Sequence, residues 1–327
     1  MSKTVSEFMK KPVKKYACGR NAKDAKKTLL KAFTASKKGD AIKESILFED
    51  IIDSVMKTKK GRETMTTLSE LGYSFAFEEG NFGGFCDPDN KKIVINPNFS
   101  FSYMLQAAVH EGTHAIQNSL EPNAPDDSMM QAASLLRSSR AVEADAVAHE
   151  MAFVYECKDV LPAVYKNTQK RGLPMFTAYV DEMEKSGDEK KAMQASFAAW
   201  YECEEYRDFY DKYHKGCIAE ICKYGKEHQQ EAVFSQEYPA EDVLKMCRYN
   251  GKPYMTPDFL NKGLAFSISI EDKKAINAAL RNYAKVVGKE PDTSLSTMRE
   301  RTADGTLLPE KKTVNAAVVA KAKQKGR

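Results

Sequence analysis

The chain has 327 residues, of which 42% are hydrophobic and 29% charged, and it contains 17 Gly and 12 Pro. This composition predicts a helix-rich globular protein with a sizeable core, and it excludes collagen-like and disordered chains. No apolar stretch is long enough to span a membrane. The seven cysteines are odd in number and lack a CxxC pair, which is typical of reduced thiols, so we expect a cytoplasmic protein.

The formal net charge of +4 is distributed unevenly along the chain. Residues 1–39 carry +10 and residues 309–327 carry +5, which leaves −11 for the residues between them. Basic ends with few apolar residues usually stay mobile. We therefore expect basic, mobile segments at 1–40 and 289–327, and one domain at 41–288 between them.

In chain order, the first predicted elements of this domain are helices. Apolar residues recur at helical spacing from Ala41 to Val55, and a second, shorter helix ends at Gly72. The pattern then becomes strand-like at 73–77, 81–86 and 92–96, with turn residues at 87–90. We predict a small antiparallel meander, in which the strand 92–96 either closes the sheet or pairs with an extended peptide.

The rest of the domain is predicted to be helical. Beyond Pro97 the periodicity predicts helices over about 101–118, 128–156, 160–168, 173–185, 189–212, 216–229, 240–248 and 271–286. Breaks at Gly172, Gly187 and Pro239 separate several of them. The predicted fold class is therefore α+β and mostly helical.

The sequence His110-Glu111-Gly112-Thr113-His114 lies inside the first of these helices and has HExxH spacing. Two residues four apart project from one face of a helix, so both imidazoles can reach one metal ion. Glu111 is rotated only part of a turn from His114, close enough to touch a metal-bound water without binding the metal. The motif predicts two metal ligands, His110 and His114, and a general base, Glu111.

A third ligand must come from elsewhere in the chain, because no histidine follows the motif at a suitable spacing. Glu143 is the best candidate, since it lies in the middle of an apolar predicted helix where a carboxylate needs a partner. A salt bridge from Glu143 to Arg140 is the alternative. Asp145 points about 200° away from Glu143, so it either accepts a hydrogen bond from a histidine or replaces Glu143 as ligand.

The motif followed by Glu143-Ala-Asp145-Ala resembles the gluzincin class of zinc metallopeptidases. More narrowly, the segments 87–96, 109–117 and 140–146 are similar to an uncharacterised family of bacterial metallopeptidase domains. The resemblance spans roughly 50–260 and implies a minimal zincin core, with a small antiparallel sheet, an HExxH helix and a glutamate helix, followed by a helical C-terminal half. The Asp that commonly follows the ligand Glu by four residues is Val147 here.

The resemblance implies Zn²⁺ held by His110, His114 and Glu143, with Glu111 as general base in the hydrolysis of a peptide or protein substrate. The group that would stabilise the oxyanion stays open among candidates that are each explained more simply by packing: Tyr201, Tyr206, Tyr210, Tyr213, His214 and His228. Two alternatives exist. The chain could be an inactive zinc-binding interaction module, or its basic ends could bind nucleic acid or an anionic membrane. Because no groove-reading motif accompanies the lysines, specific nucleic-acid recognition is not expected.

Overall fold

The computed structural model describes residues 22–230, 233–302 and 304–309. Its N-terminal part packs three helices beside a small sheet. The helices are α1 (Ala22–Lys31), α2 (Ala41–Val55) and α3 (Lys59–Leu71). Asp40 caps the start of α2 by accepting hydrogen bonds from two backbone N–H groups, and Gly72 ends α3 in the left-handed conformation. These are the start and stop signals that the sequence carries.

The sheet consists of β1 (Ser74–Phe77), β2 (Gly84–Asp87) and β3 (Lys92–Ile95), in the order β1-β3-β2. Strands β2 and β3 are antiparallel, but β1 pairs with β3 in parallel, so the predicted antiparallel meander is wrong for β1. Burial accounts for the strand order, because the three apolar residues of β3 are fully buried, as in a central strand. Both edges of β3 are therefore occupied, and β2 rather than β3 is a sheet edge beside the HExxH helix.

Two long helices follow the sheet. Helix α4 (Phe101–Leu120) carries the HExxH motif, and α5 (Ala132–Val160) carries Glu143. Helix α4 packs closely on α3 because Gly112 has no side chain: a Cβ there would lie 2.7 Å from Thr64 Cγ2. The small residues of the motif thus let α4 lie between α3, the sheet and α5.

The C-terminal half is helical and packs against α5. Its elements are α6 (Pro162–Arg171), α7 (Pro174–Ser186), α8 (Glu189–Glu202), α9 (Glu204–Glu227), α10 (Ala240–Val243), β4 (Arg248–Tyr249), β5 (Lys252–Pro253), α11 (Pro257–Leu260), β6 (Ser267–Ser269), α12 (Ile270–Val287), a 3₁₀ turn (Ser294–Thr297) and β7 (Arg299–Arg301). Strands β6 and β7 pair in parallel. The prediction of an α+β, mostly helical fold is confirmed. Among the helices described, none is both long enough and apolar enough to cross a membrane.

The described parts of the two segments predicted to be mobile are packed into the fold. Leu29 of α1 is fully buried, and Thr34 hydrogen-bonds to the backbone of Phe75 and Phe77 along the outer edge of β1. At the other end, Leu295 is fully buried and β7 completes a two-stranded sheet. The boundaries expected at residues 40 and 289 therefore fall inside packed structure. The remaining residues of both basic segments, and the binding hypothesis attached to them, lie outside the described residues.

Candidate metal centre

His110, His114 and Glu143 come together where α4 faces α5. The two imidazole Nε2 atoms are 3.2 Å apart, and Glu143 places Oε2 3.4 Å from His110 Nε2 and Oε1 3.6 Å from His114 Nε2. Within the described residues, these three side chains form the one group of His, Cys, Asp or Glu whose ligand atoms could meet at a metal ion. Their side chains are 16–19% exposed, so the group is reachable from solvent.

The outer nitrogen of His114 is held by Gln117. Gln117 donates its amide N–H groups to the Val142 carbonyl, at 2.9 Å, and to Asp145 Oδ2, at 2.7 Å. Its Oε1 lies 2.8 Å from His114 Nδ1 and must accept, so Nδ1 carries the proton. This network assigns the tautomer of His114 and leaves the lone pair of Nε2 facing the other two side chains.

The outer nitrogen of His110 faces a second carboxylate. Glu150 Oε2 lies 3.2 Å from His110 Nδ1, and an ionised carboxylate can only accept, so this nitrogen also carries a proton. Glu150 follows Glu143 by two helical turns and shares its face of α5. Position 147, where an Asp was expected from the resemblance, is a buried Val. The sequence analysis missed Glu150, although its seven-residue spacing from Glu143 could have indicated it.

Asp145 and Arg140 have partners of their own. Asp145 is buried, accepts from Gln117 and from the Tyr254 hydroxyl at 2.8 Å, and therefore reaches His114 only through Gln117. Arg140 donates to Asp211 and to a backbone carbonyl, while Glu143 accepts from the Tyr210 hydroxyl at 2.8 Å. The alternative in which Glu143 pairs with Arg140 is not the arrangement observed.

The charged side chains of the cluster shift one another's pKa values, upward for His110 and downward for Glu143. Burial lowers the pKa of His110, but its hydrogen bonds to Glu143 and Glu150 outweigh burial and raise the pKa well above its ordinary value. Burial raises the pKa of Glu143, but the two imidazoles outweigh it and hold that pKa well below its usual range. The cluster therefore attracts positive charge to the space between its members.

The donor chemistry fits a metal ion in that space. With both Nδ1 atoms protonated, two imidazole lone pairs and a carboxylate face one another at 3.2–3.6 Å, an arrangement that needs a proton or a cation between them. Two imidazole nitrogens and one carboxylate oxygen are the ligand set of a three-ligand catalytic zinc site. A second carboxylate and an amide behind the rings add the outer hydrogen bonds that such ligands usually have.

Glu111 lies beside this cluster and beneath the edge strand β2. A Cβ on Gly84 would be 3.2 Å from Glu111 Cγ and 3.4 Å from its Oε1, so the β2 backbone passes directly over the carboxylate. Burial raises the pKa of Glu111, and the neighbouring His110 and His114 oppose this shift. A carboxylate with a raised pKa next to a candidate metal site is suited to accept and return a proton.

The six candidates for an oxyanion donor differ in their exposure and in whether they contact the cluster. Tyr210 reaches the cluster by its hydrogen bond to Glu143. Tyr201 and His214 are buried, Tyr206 is partly buried, and Tyr213 and His228 are exposed. Of the six, Tyr210 is therefore the side chain that directly contacts a predicted metal ligand.

The fold and the cluster together define a class of protein, in which an HExxH helix and a facing glutamate helix could hold a metal ion beside a further carboxylate. A family described as "Putative metallopeptidase family (DUF6782)" matches residues 23–255, which include the whole cluster, and the chain belongs to that family. No curated protein and no solved structure matches the chain. Membership supports a metal-binding peptidase.

Proposed function

We propose that this chain is a gluzincin-like zinc peptidase in which His110, His114 and Glu143 bind the metal. The observation that carries the proposal is the fixed orientation of both imidazoles. Gln117 and Glu150 occupy the two Nδ1 positions, and both Nε2 atoms face Glu143. Zinc fits this neutral-nitrogen and carboxylate set, and it lowers the pKa of a bound water toward ~7 while polarising a carbonyl.

Glu111 is the general base of the proposed reaction. Its carboxylate takes the proton of the attacking water and then delivers it to the leaving amine. Its position under β2 supports this role, because a substrate lying along that strand would place a peptide bond next to it. The inactive interaction-module hypothesis does not account for a carboxylate held at this point.

The free edge of β2 is the proposed binding site for an extended peptide. Asn96 donates its backbone N–H to Gly83 at 2.9 Å, so by antiparallel alternation Gly84 and Cys86 direct their backbone groups away from β3. In the described sheets no strand pairs with that edge. Strand addition there would use main-chain hydrogen bonds and needs no particular substrate sequence. This moves the peptide-pairing hypothesis from 92–96 to β2.

A single comparison tests the proposed function. The protein is purified, its zinc content is measured by inductively coupled plasma mass spectrometry, and hydrolysis of a mixed peptide library is followed by mass spectrometry. We expect about one zinc per chain. Glu111→Gln should keep the zinc and reduce hydrolysis by at least about 10²-fold.

The control for charge removal is Glu79→Gln, which changes an exposed glutamate outside the cluster and should leave both measurements unchanged. A wild-type protein that binds no zinc after zinc is added back would contradict the proposal. Stoichiometric zinc without any hydrolysis would favour the interaction module instead. We also propose a cytoplasmic location, because the six described cysteines are free thiols.

A further inference from the structure

Two side-chain bonds join α5 to α9 next to the candidate metal centre. Arg140 of α5 is paired with Asp211 of α9, and one residue before Asp211 the Tyr210 hydroxyl donates to Glu143 Oε2 at 2.8 Å. Arg140 and Glu143 are neighbours on α5 at i, i+3. The residue that contacts the predicted metal ligand and the residue that anchors α9 are therefore adjacent in sequence.

The Asp211 anchor is buried, and both of its carboxylate oxygens accept hydrogen bonds from guanidinium groups. Oδ1 accepts from Nε of Arg140 at 2.8 Å and from its Nη2, and Oδ2 accepts from Nη2 of Arg301. All three side chains are at most 3% exposed. Charge-assisted bonds to the planar guanidinium fork fix direction as well as distance.

The anchor also closes a ring of elements around α5. Arg140 donates through Nη1 to the Ser267 carbonyl of β6 at 2.8 Å, and β6 pairs with β7, which carries Arg301. Arg301 then returns to Asp211 on α9. Because each link is short and buried, a shift of α9 along α5 would break several bonds at once.

A buried ion pair contributes less to stability than its strength suggests, and its better-attested use is to specify one arrangement. A slip of α9 by one helical turn would move Tyr210 by about 5.4 Å and separate its hydroxyl from Glu143. An apolar contact between α5 and α9 would oppose such a slip much less, because it has no directional preference.

We propose that Asp211 is a positioning residue, which fixes α9 on α5 so that the Tyr210 hydroxyl holds the Glu143 carboxylate in its orientation toward the metal. Arg301 contributes to this function, so the segment after α12 is part of the machinery of the site. The metal-binding part of this inference rests on the proposed function; the placement of Tyr210 does not.

The test is a double-mutant cycle with two readouts. Asp211→Asn, Tyr210→Phe and the double variant are compared with wild type by zinc affinity, measured in competition with a chromophoric chelator, and by kcat and KM on a peptide substrate. We expect each single variant to weaken zinc binding about tenfold, and the double variant to be no weaker than Asp211→Asn alone. In both single variants kcat should fall more than KM changes. A merely structural role for Asp211 would give effects that multiply.

Two further variants keep the test decisive. The control Glu220→Gln removes the charge of an exposed side chain on the same helix and should leave zinc affinity unchanged. If Asp211→Asn does not fold, Arg301→Lys keeps the buried charge but loses the guanidinium fork, and it should weaken zinc binding about threefold. Folding is checked by circular dichroism before any affinity is measured.

A crystal structure of the metal-free Asp211→Asn or Arg301→Lys protein separates this inference from the proposed function. We expect the Tyr210 hydroxyl to move beyond hydrogen-bond distance of Glu143, whether or not the wild-type protein binds zinc. An unchanged Tyr210–Glu143 bond in a folded variant would overturn the positioning role. A wild-type protein without zinc affinity, together with a displaced Tyr210, would overturn only the proposed function.

Discussion

Two charged clusters lie one turn apart on α5, and they differ in how they use their bonding capacity. In the cluster of Arg140, Asp211 and Arg301, every side chain is at most 3% exposed, and both oxygens of the carboxylate accept from guanidinium groups. In the cluster of His110, His114 and Glu143, the side chains are 16–19% exposed and the two imidazole Nε2 atoms face each other. The first cluster is closed to ligands, and the second is open.

The difference shows that burial and opposite charge do not by themselves indicate a ligand site. The closed cluster is buried and pairs its one carboxylate with two guanidinium groups, so it can anchor helices but offers no exposed ligand atom. The open cluster has its outer atoms held, here by Gln117 and Glu150, while the two imidazole Nε2 atoms face each other and Glu143. A ligand site is therefore indicated by potential ligand atoms that face one another while hydrogen bonds hold their side chains in place.

The largest expected effect separates the two clusters by stability. Asp211→Asn leaves two buried guanidinium groups with reduced compensation, so we expect it to lower the free energy of unfolding by about 3–5 kcal/mol. Glu143→Gln should cost much less in metal-free protein, because the open cluster does not hold the fold together. Both variants are measured by urea denaturation with a chelator present.

When zinc is added in the same experiment, Glu143→Gln should lose more of the zinc-dependent stabilisation than Asp211→Asn does. Wild type should gain about 2.7 kcal/mol when free zinc is 100 times its dissociation constant, and Glu143→Gln should gain far less at the same zinc concentration. If Glu143→Gln destabilised the metal-free protein as much as Asp211→Asn, the distinction between an open and a closed cluster would be wrong.

The second prediction concerns His214, which lies one turn after Asp211 on α9. Burial, with a smaller effect from Arg140, lowers the pKa of His214 to about 4, while Glu143 and Asp211 oppose the shift. Between the unfolded pKa near ~6.5 and the folded value, the unfolded chain binds a proton that the folded chain does not. The stabilisation is therefore complete above about pH 6.5 and is lost as pH falls toward 4, with a total of about 3 kcal/mol.

The measurement is the free energy of unfolding between pH 7 and pH 4.5 for wild type, His214→Gln and a control. His214→Gln should flatten the pH dependence, because glutamine does not titrate. The control His228→Gln removes an exposed histidine at the end of the same helix and should preserve the wild-type slope. Equal slopes in wild type and His214→Gln would mean that this region is wetter than the closed cluster suggests.

The parts of the site that lie within one helix could be predicted from the sequence. The spacing of His110 and His114 depends only on helical geometry, and Glu143 could be identified as a carboxylate in an apolar helix. Glu150 follows the same helical spacing, but the carboxylate expected to accept a hydrogen bond from a histidine was Asp145. These residues needed a local rule and no knowledge of the tertiary fold.

The parts that depend on packing between distant segments could not be predicted in this way. Arg140 and Asp211 are 71 residues apart, and no local pattern links them. The order β1-β3-β2 places the fully buried β3 at the centre of the sheet, with β1 parallel to it, and this order is a property of the assembled core. The basic ends were expected to be mobile because their average composition is polar, whereas the described parts of both segments pack through apolar residues such as Leu29 and Leu295.

The smallest expected effect tests whether the open cluster depends on its outer hydrogen bonds. Gln117→Leu keeps the side-chain volume but removes the acceptor for His114 Nδ1 and the donor to Asp145. The imidazole can then rotate or change tautomer, so we expect zinc affinity to fall about 10-fold to 100-fold. Because the buried Asp145 also loses a donor, metal-free stability should fall by about 1–3 kcal/mol. Asn118→Ala is the matched control, because its exposed amide donates to the main-chain carbonyl of His114 and does not touch the ring. Unchanged zinc affinity in Gln117→Leu would show that the ligands are oriented by the packing of α4 on α5 alone. The outer hydrogen bonds would then not be what distinguishes the open cluster from the closed one.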